Sequence, residues 1–267
     1  MAHIQHRVLG RRGNIKGTVT HGGHGGSVGI ANLWREGITS SMEDINDDGS
    51  EEPTEVRVVS AWEGQYGADA GNATQSAANN RPVLFNDYSL DFRHTSDSAE
   101  YGDYMTFDSK TRIAASTPFM SFLVCNLDSS STSCYLSDSG AEVLQFTSGN
   151  AHQLKAGSAT NMTHSSKFTV PDGSKFLMVV ARVNTQDIKL WKNGIECNGH
   201  QNLGSSTTGV LDIVSLGVKN VGGTPSNFFD GKIYDVIVID DMYDDAVRRS
   251  IQSYLIRKHG LELEASD

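Results

Sequence analysis

KIYDVIVIDDMYDDAVRRSIQSYLIRKHG, residues 232–260, sets a strand directly before a helix, and its reading decides the fold class. The first nine residues are rich in Ile and Val, the composition of a buried strand. Beyond them the period changes. Val247, Ile251, Tyr254, Leu255 and Lys258 recur at helical spacing, so four apolar side chains form a stripe closed by a long-stemmed lysine. Asp240 or Asp241 is placed to cap the helix, Asp244 and Asp245 suit the positive end of its dipole, and Lys258 and His259 suit the negative end. Gly260 then supplies a left-handed terminator. The spacing predicts a short closing helix packed on a sheet, with Ile251 inward and Arg248 toward solvent. On that reading Ile251→Asp destabilises by several kcal/mol and Arg248→Asp by under about 1 kcal/mol.

Upstream, short runs rich in Val, Ile, Phe, Leu and Thr alternate with Gly/Asn/Ser/Asp turns. Expected strands are Glu55–Ser60, Ser89–Phe92, Tyr104–Phe107, Pro118–Leu127, Ser133–Leu136, Glu142–Thr147 and His152–Lys155. They continue with Lys175–Val183, Asp187–Trp191, Val210–Leu216 and Lys232–Ile239. FMSFLVCNL (119–127) and KFLMVVARV (175–183) are almost unbroken apolar runs, which predicts central strands covered on both faces. So many strands and a single helix exclude Rossmann and TIM architectures. The fold class is all-β: a two-sheet antiparallel sandwich with a short C-terminal helix and an extended N-terminal arm.

The chain has 267 residues, enough to bury a core without crosslinks, and 27 Gly against 5 Pro, so its loops turn on Gly, Asn, Asp and Ser. Three cysteines do not make a disulfide scaffold; Cys125 and Cys134 could pair across a hairpin, but reduced buried thiols are the default. No apolar run approaches the roughly 20 residues that span a bilayer. A net charge of −10 argues against non-specific nucleic-acid binding.

That charge is unevenly placed. Arg7, Arg11, Arg12, Lys16 and Arg35 against Glu36 give residues 1–37 about +4. Glu43, Asp44, Asp47, Asp48, Glu51, Glu52 and Glu55 against Arg57 give residues 43–57 about −6. Residues 1–28 end in a Gly/His-rich stretch and read as a flexible anchoring arm, ordered only on a partner. Residues 29–267 form the globular domain. No apolar stretch follows the N-terminal arginines, so the expectation is a chain kept in the cytosol or released by another route than secretion.

Several motifs then fall in a known order. Leu33-Trp34, Trp62, Gly71-Asn72-Ala73-Thr74-Gln75, Asn80-Arg81-Pro82, and Leu90-Asp91-Phe92 with Asp103-Tyr104-Met105 resemble the opening of a laminin-G-like jelly roll. IKLWKNGIE (188–196) resembles the later hairpin of that group, with Asn193-Gly194 as a type I′ turn. VSLGVKN and the 232–260 segment resemble the strands and helix that follow it. The chain from about residue 28 onward thus resembles the concanavalin A-like lectin/glucanase superfamily. The resemblance implies sugar-stacking platforms among Trp34, Trp62 and Trp191, although tryptophans usually fill the core between sheets.

Glucanases of that superfamily carry alternating carboxylates on one strand, because only every second residue faces the cleft. No such triplet occurs here on an expected strand; Glu43-Asp44-Ile45-Asn46-Asp47 lies in a polar loop, and Glu196 has no carboxylate near it in sequence. The expectation is a protein that is not an enzyme, with no catalytic residues and no cofactor. Asp44 to Glu55 fits the spacing of a calcium loop, but Glu51 stands where an apolar residue belongs, Pro53 interrupts, and a strand follows, so it reads as a solvated acidic turn. His21 and His24 could grip a transition metal, but two histidines in a flexible glycine stretch are not expected to be ligands, and no metal site is expected.

A lectin-like sandwich behind an arm, without a secretion signal, resembles jelly-roll proteins of bacteriophage virions. The functional expectation is a non-enzymatic virion protein, a capsid decoration (cement) or fibre component assembled in the host cytoplasm. Its partners would be capsid or other virion proteins held through residues 1–28, surface glycans, and further copies of itself; nucleic acid and membrane are not expected. The alternative is a carbohydrate-binding adhesion module for a host or environmental glycan.

Overall fold

The computed structural model describes residues 3–9, 14–20, 33–43, 56–66, 72–77, 80–85, 89–93, 102–114, 117–128, 132–139, 143–147, 151–155, 162–164, 173–184, 187–197, 201–202, 210–219 and 222–262. In chain order the strands are β1 (His3–Leu9), β2 (Asn14–Thr20), β3 (Leu33–Glu43), β4 (Val56–Tyr66), β5 (Ala73–Thr74), β6 (Val83–Leu84) and β7 (Leu90–Phe92). Next come β8 (Met105–Ile113), β9 (Phe119–Leu127), β10 (Ser133–Ser137), β11 (Val143–Thr147), β12 (Ala151–Lys155) and β13 (Met162–His164). The last are β14 (Phe176–Asn184), β15 (Asp187–Lys192), β16 (Ile195–Glu196), β17 (Gln201–Asn202), β18 (Leu211–Leu216) and β19 (Gly231–Asp240), closed by helix α1 (Asp245–His259).

Two antiparallel sheets pack face to face. The first runs β15–β14–β9–β19, and the far edge of β19 is shared by β7 at Gly231–Ile233 and by β3 at Val236 and Ile237. The second runs β5–β8–β18–β10–β11–β12–β13. β4 pairs with β3, β6 and β5, so hydrogen bonding passes from one sheet to the other. Within the segment read as an arm, β1 and β2 pair with each other in a small sheet separate from this framework.

Every residue of β9 is buried, and seven of the nine in β14 are. Alternation explains why both faces must be apolar. Phe119, Leu123 and Cys125 of β9, with Phe176, Met178 and Val180 of β14, enter the core between the sheets. Met120, Phe122 and Val124, with Leu177, Val179 and Ala181, face the other way and meet Val247, Leu255 and Ile256 of the helix. The two sheets interlock through Phe146 of β11, which meets Phe176 of β14 edge to face at 6.1 Å.

The cysteines are free, with Cys125 and Cys134 buried, as reduced thiols in a core should be. Asn193 (φ 44°) and Gly194 (φ 98°) both take positive φ, the requirement of the expected type I′ hairpin between β15 and β16.

The helix departs from its sequence reading in two respects. Its cap is Asp244, whose carboxylate accepts from the Ala246 and Val247 amides at 2.8 and 3.0 Å, because Asp240 finishes β19 and Asp241 (φ 57°) turns the chain. Its buried face is also rotated: Arg248 and Gln252 are buried while Ile251 is half-buried. Gly260 ends the helix in the left-handed region, as expected. Among the described residues no helix is long and apolar enough to cross a membrane.

Candidate binding face

The residues singled out in sequence sort mainly into scaffold. Trp62 is buried between the sheets and Trp191 under the helix, so neither offers a ring to a sugar. Trp34 lies on β3, outside the residues whose side chains are described, as do His21, His24 and the Asp44–Glu55 loop altogether. Among the described residues no group of three or more His, Cys, Asp or Glu is arranged to hold a metal ion. Glu196 is exposed and lies 3.8 Å from Lys189.

The jelly-roll motifs hold loops together. Gln75 donates to the Tyr104 carbonyl at 3.0 Å, Asn80 to Gly102 at 2.8 Å, and Arg81 to Gln75 at 3.0 Å. Buried Asp103 accepts from the backbone and the guanidinium of Arg93, both at 3.0 Å. The Gln75 and Asn80 bonds tie their stretch of chain to residues 102–104, a structural task.

The helix covers only part of its sheet. Where it stops, one cross-strand row on the same outer face turns polar. Leu90 and Phe92 enter the core, so Asp91 between them faces out, and the same alternation turns out Asn126 of β9 and Lys232 of β19. Register places Asn126 opposite Lys232, Lys232 opposite Asp91, and Asp91 opposite Val83. Phe85 follows at the end of β6; at 40% exposure it is the exposed large hydrophobic among the described residues, and the Lys232 ammonium sits 3.6 Å from its ring centre. At the other end the Lys175 ammonium lies 4.0 Å from the ring centre of Tyr234, which meets His259 edge to face at 5.8 Å.

Backbone geometry fixes this row. Gly231 has φ 139°, and a Cβ there would stand 2.3 Å from the Asn126 carbonyl oxygen. The close approach allows the Asn126 side-chain oxygen to accept from the Lys232 amide at 2.7 Å.

Asp91 is the perturbed group. Partial burial pushes its pKa up to about 6; Lys232 lowers it, Asp128 raises it, Arg93 lowers it and Asp103 raises it. An Asp whose folded pKa lies above its unfolded value costs stability as pH rises between the two. Asp91→Asn is therefore expected to stabilise the domain at pH 7 by about 1 kcal/mol after allowance for solvent screening, with the advantage gone near pH 4. Urea midpoints at both pH values test this; an equal or less stable variant at pH 7 removes the case that Asp91 is held at a cost. Such cost is common at functional positions.

The sequence marks none of this row as a site: Leu90-Asp91-Phe92 reads as a jelly-roll motif, and Phe85, Asn126, Lys175 and Lys232 are ordinary until the register aligns them. The row offers donors on the lysines, an acceptor on Asp91 and an apolar ring, while buried Asn126 holds the Lys232 backbone in place. That set suits a polyhydroxylated ligand.

No protein-family model and no curated protein matches the sequence. Among solved structures the chain is similar to a GH54 α-L-arabinofuranosidase, at 12% identity and a TM-score of 0.50 over 76% of this chain and 51% of that one. It is also similar to the CBM40 of a Ruminococcus gnavus IT-sialidase bound to α2,3-sialyllactose, at 17% identity, a TM-score of 0.42, and 52% and 84% coverage. A third is a heptameric SAP-like pentraxin from Limulus polyphemus, at 14% identity, a TM-score of 0.46, and 56% and 74% coverage. At 12% identity the likeness to the arabinofuranosidase is one of fold alone, a β-sandwich.

Proposed function

We propose that this chain is a non-catalytic, lectin-like module that binds carbohydrate through the outer row of its helix-bearing sheet. The observation that carries the reading is the exposed Phe85 ring, with the Lys232 ammonium over one face and Asp91 across the strand from that lysine, at the uncovered end of the sheet. An aromatic flanked by hydrogen-bonding groups supplies what a sugar needs, an apolar surface for its C–H face and partners for its hydroxyls. The absence of an alternating carboxylate triplet in the sequence supports binding without turnover. A glycan array probed with the full chain is expected to show sugar binding, which Phe85→Ala weakens by about tenfold. β-Glucans, agars and alginates should meanwhile release no reducing sugar. Binding indifferent to Phe85, or turnover lost on replacing one carboxylate, overturns the reading.

A finer reading places the module on a bacteriophage virion, as decoration or fibre component, with residues 1–28 as its anchor and further copies of itself among its neighbours. The basic N-terminal stretch ahead of an acidic one supports it. Removing residues 1–28 is expected to leave thermal unfolding of the sandwich nearly unchanged and to abolish association with the particle. Loss of folding on that deletion ends the two-part description.

A further inference from the structure

We propose that the outer row takes a linear, uncharged oligosaccharide laid across the strands, with Phe85 at one end of the site and Lys175 at the other. This inference rests on the carbohydrate-binding reading above and specifies its ligand.

The row is one-dimensional. It crosses β14, β9, β19, β7 and β6 in order, each hydrogen-bonded to the next. Four inter-strand spacings of about 4.8 Å give roughly 19 Å of backbone as the outer limit of the row, room for at most about four linked sugar rings; the Lys175 ammonium lies inside that limit, over Tyr234 of β19. On one flank His259, from the last turn of the helix, stands against Tyr234. A branched ligand or an isolated terminal sugar would use only part of such a track.

Charge selects the ligand further. Lys175 and Lys232 line the row together with Asp91; Asp128 lies close enough to Asp91 to raise its pKa, and Arg93, paired with Asp103, close enough to lower it, so both signs are balanced along the row. An anionic sugar would meet both carboxylates and a cationic one both lysines. Neutral hydroxyls donate to the carboxylates and accept from the ammoniums, so they satisfy the whole row. Each lysine already rests on an aromatic ring, Lys232 on Phe85 and Lys175 on Tyr234, which keeps the two donors at fixed places along the track.

Calorimetry tests this with the full chain and neutral cello-, manno- and N-acetylchito-oligosaccharides of one to six units, beside oligogalacturonates of the same lengths. In at least one neutral series, affinity is expected to rise by about tenfold or more from the monosaccharide to the tetrasaccharide and then level off. Lys175→Ala should lower tetrasaccharide affinity more than disaccharide affinity and so flatten the length dependence, while Lys110→Ala on the opposite sheet changes neither. Thermal unfolding of each variant separates lost binding from lost folding. Affinity independent of length, or a preference for galacturonates, with Phe85 still required, overturns the inference and leaves the binding module standing. Failure of every series, or binding untouched by Phe85→Ala and Asp91→Asn, overturns the module as well.

Discussion

Arg248→Asp is expected to lower the melting temperature of this domain by roughly 10 °C, corresponding to about 3–5 kcal/mol. Arg248 is only 5% exposed. Its guanidinium lies 4.1 Å from the ring centre of Trp191, donates to Asp245 at 2.9 Å and to Gln252 at 2.6 Å, and so fills the space between helix and sheet. An aspartate there would lose the stacking, strand the buried Gln252 oxygen, and set two carboxylates together. Arg249→Ala, one residue on and largely exposed, should cost under about 1 kcal/mol despite its 2.7 Å ion pair with Asp245. This reverses the sequence-based ranking, in which Arg248 faced solvent. Half-buried Ile251 packs against the same cluster, so Ile251→Asp remains destabilising, but Arg248 is now the more sensitive position. Thermal melts of the three variants decide it; if Arg248→Asp melts with Arg249→Ala, the helix does not seat in this way.

The second large effect lies at the other end of the helix. Asp235 is 1% exposed, in β19 where the register with β9 slips between Ile233 and Asp235. One carboxylate oxygen accepts from the Lys258 ammonium and, at 2.5 Å, meets the His259 ring nitrogen. Burial alone would raise its pKa, but the hydrogen bond from His259 and the charge of Lys258 hold it below the usual Asp value. Lys258→Met keeps the stem that covers the sheet and removes the charge, leaving a buried carboxylate half compensated; the expected loss is about 3 kcal/mol.

The pH dependence follows with a fixed sign. An Asp whose folded pKa is depressed contributes stability that is present above its unfolded pKa, near 3.8, and is lost as pH falls through the folded value. Asp91 acts in the opposite direction between about 4 and 6. Denaturant midpoints from pH 3 to pH 7 should show the parent losing its Asp235 contribution at the acid end, with a shallower acid limb in Lys258→Met. An unchanged limb would mean the clamp contributes nothing.

Much of the fold was legible because a β-sandwich writes itself into sequence at period two. The apolar runs of β9 and β14 could only be central strands, and Asn193-Gly194 could only be a tight hairpin. The binding row was not legible. Phe85, Asp91, Asn126, Lys175 and Lys232 come from four separate stretches of chain, and each is unremarkable in its own neighbourhood.

By itself the sequence determined the all-β class, the buried central strands, the closing helix with its Gly260 stop, and the reduced state expected of the cysteines. These depend on local periodicity, turn chemistry and composition, which neighbouring residues set. Tertiary structure alone decided which side of the helix is buried and which polar residues meet. A stripe of four apolar residues tolerates a rotation that exchanges Ile251 for Arg248, and the flat ring of Trp191 on the facing sheet, with Asp245 and Gln252 as acceptors, makes the guanidinium the better fit. Likewise, pairing β19 with both β9 and β7 puts Asn126, Lys232 and Asp91 in one line, because cross-strand register is fixed by contacts far apart in the chain.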